Sequence, residues 1–392
     1  MLTSENKELT SFRTDLNSDL KLDSGLNLDD ILSLAKDLPH TQQAPICKGY
    51  LRQKISDFQV LEILSFKPCG FGEHLFLQIE KQSSNTDWVI RQLIKKSGIT
   101  RKDIGYAGKK DRHSISRQWF SLHLPGKSEL IDTADFIEQL DGEGYRVVNH
   151  IRHNKKLRIG SILKNEFKIT LREVSETIDV RTIDKVRKIG FPNYFGYQRF
   201  GRDYNNLNLA NELLLDGIKI NNRNKRSLVL SSARSFLFNL QLAMRVNDNT
   251  WNSVVEGDCF MLNNSRSYFS TKESSNTSTQ ECENEESQSI QNRLDSGDIH
   301  ICGWLPGKQD SEVVLKSKEL EGKSIDNMSR WIDSLSELGM DSSRRAYRTL
   351  ASDLECEQKE NVITISFSLP SGSYATSLLR ELVDFKDLSL DP

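Results

Sequence analysis

No run of apolar residues in the 392-residue sequence approaches the roughly 18 needed to cross a bilayer as a helix. Its first residues, MLTSENKELTSFRTDLNSDL, lack the apolar core that a secretory signal needs. The six cysteines, at 47, 69, 259, 282, 302 and 356, form no CxxC pair, so neither a zinc site nor a disulfide framework is expected. A reducing, cytoplasmic setting follows as the expectation. There is no GxGxxG, no Walker loop and no HExxH, and the HxxH of His150 and His153 brings no third ligand with it. No metal and no small-molecule cofactor is expected.

Strong net charge is also missing: the formal total is −2. Taken alone, that argues against a polyanionic partner, but the distribution is uneven. Residues 1–45 hold four Lys/Arg against eight Asp/Glu, whereas residues 145–172 hold eight Lys/Arg against one acid. Residues 219–234 hold five Lys/Arg and no acid. A polyanion responds to such local fields rather than to the total.

Periodicity gives mixed elements without regular βαβ alternation, which indicates an α+β protein. Residues 28–36 (LDDILSLAK) suit a short amphipathic helix, and the rest of the first 40 residues is polar and loose. SDFQVLEIL (56–64), LFLQIE (75–80), QWFSLHL (118–124) and EFKITL (166–171) alternate as strands. NTDWVIRQLIKKSG (85–98) has an Asn or Thr to cap a helix, lysines in its last turn and Gly98 to stop it. VRTIDKVRKIG (180–190) and SARSFLFNLQLAMRV (232–246) read as further helices. Near the end, a strand through Ile363, Ile365, Phe367 and Leu369 precedes a Ser/Gly turn and a helix. Residues 270–292 are Ser/Thr/Glu/Asn-rich and read as a flexible acidic loop.

Two dense stretches carry most of the chemistry. In GYAGKKDRHSISRQWFSL (105–122), Asp111 sits among Lys109, Lys110 and Arg112, in a loop just ahead of a strand. Those cations favour an ionised acid, and an anionic carboxylate can act as a nucleophile or stabilise a cationic, sugar-like transition state. On spacing alone, a solvated acid in a mixed-charge turn is the commoner arrangement. PNYFGYQRFG (192–201) sets Tyr194, Phe195, Tyr197 and Phe200 beside two glycines and Arg199. Such rings either stack on an unpaired base or plug a core. The basic stretches, with Lys155, Lys156 and Arg158 in one and Arg223, Lys225 and Arg226 in the other, could follow a phosphate backbone.

Taken together, these stretches resemble the TruD-type tRNA pseudouridine synthases. The first is similar to the family's AGxKDrHavTxQWfs segment and the second to its NYFGxQRFG segment. NRNKRS (222–227), SSARS (231–235), SGSYATSLLREL (371–382) and GFGEHLFLQIEKQSSNTDWV (70–89) match further segments in order. The likeness spans roughly residues 48–260 and 300–385.

The resemblance implies a mixed, largely antiparallel sheet with flanking helices, the pseudouridine synthase fold, carrying an inserted α/β domain. A polar N-terminal extension (1–45) would precede a catalytic domain (46–216 and 347–392), and the insertion would span 217–346. The implied reaction isomerises uridine to pseudouridine in tRNA, at position 13 in the D arm. Asp111 would be the catalytic aspartate, Phe195 the aromatic that stacks on the target base, and Asn193 an active-site contact. Arg52 stands where the family usually has a lysine near the aspartate. Lys109, Lys110, Arg112, Lys155, Lys156, Arg158, Arg199, Arg223, Lys225 and Arg226 would meet RNA, with Lys109 or Lys110 beside the target and Arg52 serving the acid. A monomer that binds tRNA and no membrane is expected. The competing reading is a non-catalytic RNA-binding protein that keeps the cleft.

Overall fold

The structure, a computed structural model, describes residues 26–126, 134–270 and 289–390. Most of the acidic 270–292 loop and most of the N-terminal extension fall outside these residues. The described chain packs as two compact units, one of residues 40–194 and 348–390 and the other of 26–39 and 195–347. Residues 195–216, assigned from sequence to the catalytic domain, lie in the second unit.

The first unit is built on a ten-stranded sheet, mixed but largely antiparallel. Its strands in chain order are β1 (Lys48–Leu51), β2 (Phe58–Leu64), β3 (His74–Gln82), β4 (Ile104–Tyr106), β5 (Ile115–His123), β6 (Tyr145–His153), β7 (Ile162–Arg172), β8 (Ser352–Lys359), β9 (Val362–Pro370) and β10 (Asp384–Asp387). The main order is β8-β9-β7-β2-β5-β3-β6; β4 pairs with β5, and β1 lies between β7 and β10. Among the described residues, only β2 with β5 and β1 with β10 run parallel.

Alternation along the strands decides which face is covered. Phe58, Val60, Ile169, Leu171, Ile363 and Ile365 point to one side and meet the helices Val180–Ile189 and Ala375–Leu379. Leu75, Leu77, Ile79, Phe120 and Leu122 form a second core with the helix Thr86–Ser97 through Val89, Ile90 and Leu93. The Asn85 side chain accepts the Trp88 N–H to start that helix, and Gly98 ends it at φ 70°, a conformation that costs glycine little.

The second unit is organised by one long helix, Arg223–Asn247. It packs against the helices Asn205–Leu214 and Leu315–Ile325 and against the strand Ile299–Leu305. That strand belongs to a four-stranded antiparallel sheet with Tyr268–Ser270, Cys259–Leu262 and Ser343–Ala346. The helix Leu28–Lys36 forms as its pattern suggested: Asn27 and Asp30 cap it reciprocally, and it packs on the helices Asn205–Leu214 and Arg223–Asn247. The long helix starts well before residue 232. The basic NRNKRS stretch, outside the helix read over 232–246, is its cap and first turns, with Asn222 accepting the Lys225 N–H. Among the described residues no helix is long and apolar enough to cross a membrane.

Candidate active site

Asp111 lies in the loop between β4 and β5, as its position ahead of a strand indicated. The cation that meets it comes from elsewhere in the chain. Arg52 is the first residue after β1, and its Nη2 donates to Asp111 Oδ2 at 3.2 Å. Its Nη1 donates to Asp387 Oδ2, a short ion pair. The parallel pairing of β1 with β10 sets Leu51 level with Asp387, so the next residue needs only a turn to reach that carboxylate. Arg52 makes that turn at φ 61°, a left-handed conformation that costs a non-glycine residue on the order of 1–3 kcal/mol. Its guanidinium also lies 4.0 Å from the centroid of the Phe58 ring.

Exposure differs sharply across this triad. The side chains of Arg52 and Asp387 are 3% and 2% exposed, whereas that of Asp111 is 54% exposed. A buried, anchored cation therefore presents one reachable carboxylate. Asp387 was not singled out in the sequence: it is an acid in an ordinary-looking C-terminal strand, and only the strand register shows its partner.

The loop carrying Asp111 is held by buried polar groups. Lys81 Nζ donates to the carbonyls of Ser84 (2.6 Å) and Asp111 (2.9 Å), and Ser114 Oγ donates to the same Asp111 carbonyl at 3.0 Å. Burial lowers the Lys81 ammonium from 10.5 to about 8, with the Asp111 charge opposing that shift. Gln118 donates to the Gly108 carbonyl and accepts from Thr86 Oγ1, which in turn accepts the Lys110 N–H. Glu62 accepts the Trp119 N–H at 3.1 Å, one residue past the end of the β2–β5 ladder, and pairs with Lys110 Nζ at 2.6 Å. Burial pushes the Glu62 carboxyl up, and Lys110 pulls it back.

The cations beside Asp111 in sequence thus take other partners. Lys110 is turned inward onto Glu62, with its side chain 8% exposed, instead of standing out in solvent beside Asp111. Lys109 pairs with Asp87 at 2.8 Å, and Arg112 Nε donates to the Ser83 carbonyl. Both stay exposed. The physical reason is local: in a tight loop consecutive side chains diverge, so adjacency in sequence does not make a ring of charge.

Asn193 is buried after the short strand Phe191–Pro192, which pairs with Arg348–Thr349; the next residue's carbonyl accepts from Ser377 Oγ at 2.8 Å. Phe195 begins the 195–347 segment of the second unit. Asn239, fully buried on the long helix, accepts its N–H and donates to its carbonyl, both at 2.9 Å. Phe238 packs edge-on to the ring at 5.6 Å, and the Arg345 guanidinium lies 4.1 Å from the ring centroid. Asn239 and Arg345 had no signal of their own in the sequence.

Arg199 is engaged by the SSARS segment. Its guanidinium donates to the hydroxyls of Ser231 and Ser235, and Ser232 Oγ donates to its carbonyl at 2.9 Å. It braces one motif against the other. Lys155 and Arg158 are exposed on the loop between β6 and β7, while Lys156 Nζ donates to the Lys102 carbonyl. Arg223 and Lys225 are exposed and Arg226 half-buried at the start of the long helix. His153 Nδ1 accepts the Cys69 N–H, and its ring stacks on Phe66.

A family model described as tRNA pseudouridine synthase D (TruD) matches residues 38–219 and 216–382. The tRNA pseudouridine synthase D of Methylococcus capsulatus is 39% identical over 353 residues, covering 89% of this chain and 95% of its own. That of Hydrogenovibrio crunogenus is 37% identical over 339 residues, covering 86% and 93%. A crystal structure from Methanosarcina mazei, assigned to the same name, superimposes with a TM-score of 0.67 at 20% identity, covering 91% of this chain and 98% of that one, and supports the pseudouridine synthase fold. With an arginine-held, half-exposed aspartate in the matching motif, the chain belongs to the tRNA pseudouridine synthase D family and is an isomerase of that class.

Proposed function

We propose that this protein isomerises uridine to pseudouridine in tRNA, at position 13 of the D arm, with Asp111 as the acting carboxylate. The observation that carries this reading is the ion pair between the buried Arg52 and the half-exposed Asp111. It is supported by relatives named tRNA pseudouridine synthase D along most of the chain.

The reaction breaks the N1–C1′ bond, turns the uracil, joins C5 to C1′, and moves the C5 proton so that N1 ends protonated. Its atoms and electrons balance without a redox partner or ATP. Breaking the glycosidic bond builds positive charge on the sugar, which a nearby carboxylate captures or stabilises. Asp111 serves either by adding to C1′ or by taking a proton on the way to a glycal. Arg52 orients the carboxylate, and Asp387 holds Arg52.

The target base has to leave its stack first. Phe195 is assigned the face of that base and Asn193 its polar edge, on the strength of the NYFGYQRFG motif. The clamp of Asn239 on the Phe195 backbone suits a ring that must keep its orientation. Lys109, Arg112, Lys155, Lys156, Arg158, Arg223, Lys225 and Arg226 are assigned to phosphates, which set register rather than sequence. The cations in the first turn of the long helix oppose its macrodipole, an arrangement that an RNA phosphate would relieve.

The experiment is to incubate the purified protein with unmodified tRNA and map pseudouridine by a chemical label. Product at position 13 is expected. Product confined to other positions removes the site assignment, and no product in any tRNA removes the reading.

A further inference from the structure

The turn between β2 and β3 and the loop between β6 and β7 are joined into one ledge. Ser65 N donates to the Ser161 carbonyl and Gly70 N to the Arg152 carbonyl, each at 3.0 Å. Cys69 N donates to His153 Nδ1 at 3.2 Å, and Phe66 stacks on the His153 ring with centroids 4.9 Å apart. Gly72 lies so close to Asn154 that a Cβ there would meet its backbone at 2.6 Å. Below, Leu157 is buried and its N–H donates to Ser121 Oγ at 3.0 Å. Gly160 N donates to the Ala107 carbonyl at 2.9 Å, which ties the ledge to the base of the loop carrying Asp111.

This rigid base holds apolar groups outward. Gly70 and Gly72 adopt φ 84° and 110° on either side of Phe71, whose ring is left 64% exposed. Ile159 on the neighbouring loop is 77% exposed. Around them the two segments, 65–73 and 154–161, carry four cations (Lys67, Lys155, Lys156 and Arg158) against one acid, Glu73. That acid faces His123 at 3.3 Å. An exposed aromatic ring in a positive field is the chemistry of a single-stranded nucleic-acid contact, where a ring stacks on a base and cations meet the adjoining phosphates. A nucleic-acid backbone supplies regular negative charge for such a field to meet.

We propose that this ledge is a second tRNA contact, in which Phe71 stacks on an unpaired base other than the target and Lys155 and Arg158 hold the phosphates beside it. The proposal rests on the reading of the protein as a tRNA enzyme and adds a docking determinant to it. Because Phe71 is exposed, replacing it leaves the core intact.

The test compares dissociation constants for one unmodified tRNA, measured on the Asp111→Asn background so that no turnover intervenes. Phe71→Ala should bind about tenfold more weakly, in line with the loss of one stacked base. Phe71→Trp should restore binding and Phe71→Leu should not, because stacking requires a ring. Lys155→Ala with Arg158→Ala should lower the slope of log affinity against log salt by roughly 1–2. Equal affinity for the parent and Phe71→Ala overturns the ledge, as does full rescue by Phe71→Leu. The wild-type protein is assayed in parallel for pseudouridine in the same tRNA. Its failure there counts against the underlying reading, whereas product with unchanged Phe71→Ala affinity counts against the ledge alone.

Discussion

Arg52 and Asp387 form a buried ion pair between the residue after the first strand of the sheet and the last residue of its final strand. The same guanidinium holds Asp111, so the C-terminal strand reaches the candidate catalytic carboxylate through one side chain. Asp387→Asn keeps the shape and removes the charge. Because both partners are almost wholly buried, the change should cost about 3 kcal/mol of stability. It should also lower kcat by at least tenfold while the dissociation constant for tRNA changes little. Denaturant midpoints and single-turnover rates on unmodified tRNA check the two effects; an unaltered rate would leave Asp387 a purely structural acid.

Lys110 separates the sequence expectation from the structural one. If its ammonium met RNA, Lys110→Gln would reduce the salt dependence of tRNA binding. In the structure it neutralises the buried Glu62. Lys110→Gln should therefore destabilise the protein by roughly 3–5 kcal/mol and leave the salt slope unchanged. Charge reversal at Lys155 and Arg158 should do the opposite. Affinities measured at several salt concentrations, beside thermal melts, distinguish these outcomes.

The part of this site that was legible in the sequence was the local part. Asp111, the capped helix Thr86–Ser97 and the alternation of β2, β3, β5 and β7 are all encoded over short windows. What was not legible depends on distance along the chain. The pairing of Arg52 with Asp111, 59 residues on, was available only through the family resemblance, and Asp387, 335 residues after Arg52, gave no signal of its own. Only the strand register brings them together. Local charge was misleading for the same reason: Lys109, Lys110 and Arg112 surround Asp111 in sequence and bond to Asp87, Glu62 and Ser83. The early start of the long helix is not legible because NRNKRS has no apolar stripe, and its helical state depends on the Asn222 cap and on packing further along.

Lys81 makes the stability of the Asp111 loop depend on pH. Its ammonium, at about 8 in the folded protein against 10.5 for the free side chain, is harder to keep charged when folded. The penalty is present in full below about pH 8. Stability then rises with pH through the window from about 8 to 10.5, by a few kcal/mol in total, because the unfolded chain binds the proton that the folded one has lost. Lys81→Met should remove this rise. Denaturant midpoints of both proteins at pH 7 through 10.5 provide the check, and curves that remain parallel would count against the buried ammonium.

The most direct measurement is pseudouridine formation by Asp111→Asn and by the wild-type protein on the same unmodified tRNA, with tRNA affinity and thermal melting recorded for both. The expected result is product with wild type, a loss on the order of 10⁴-fold or more with the variant, and similar affinity and melting temperature. Product formed by Asp111→Asn at a comparable rate would contradict the assignment of that carboxylate to the chemistry.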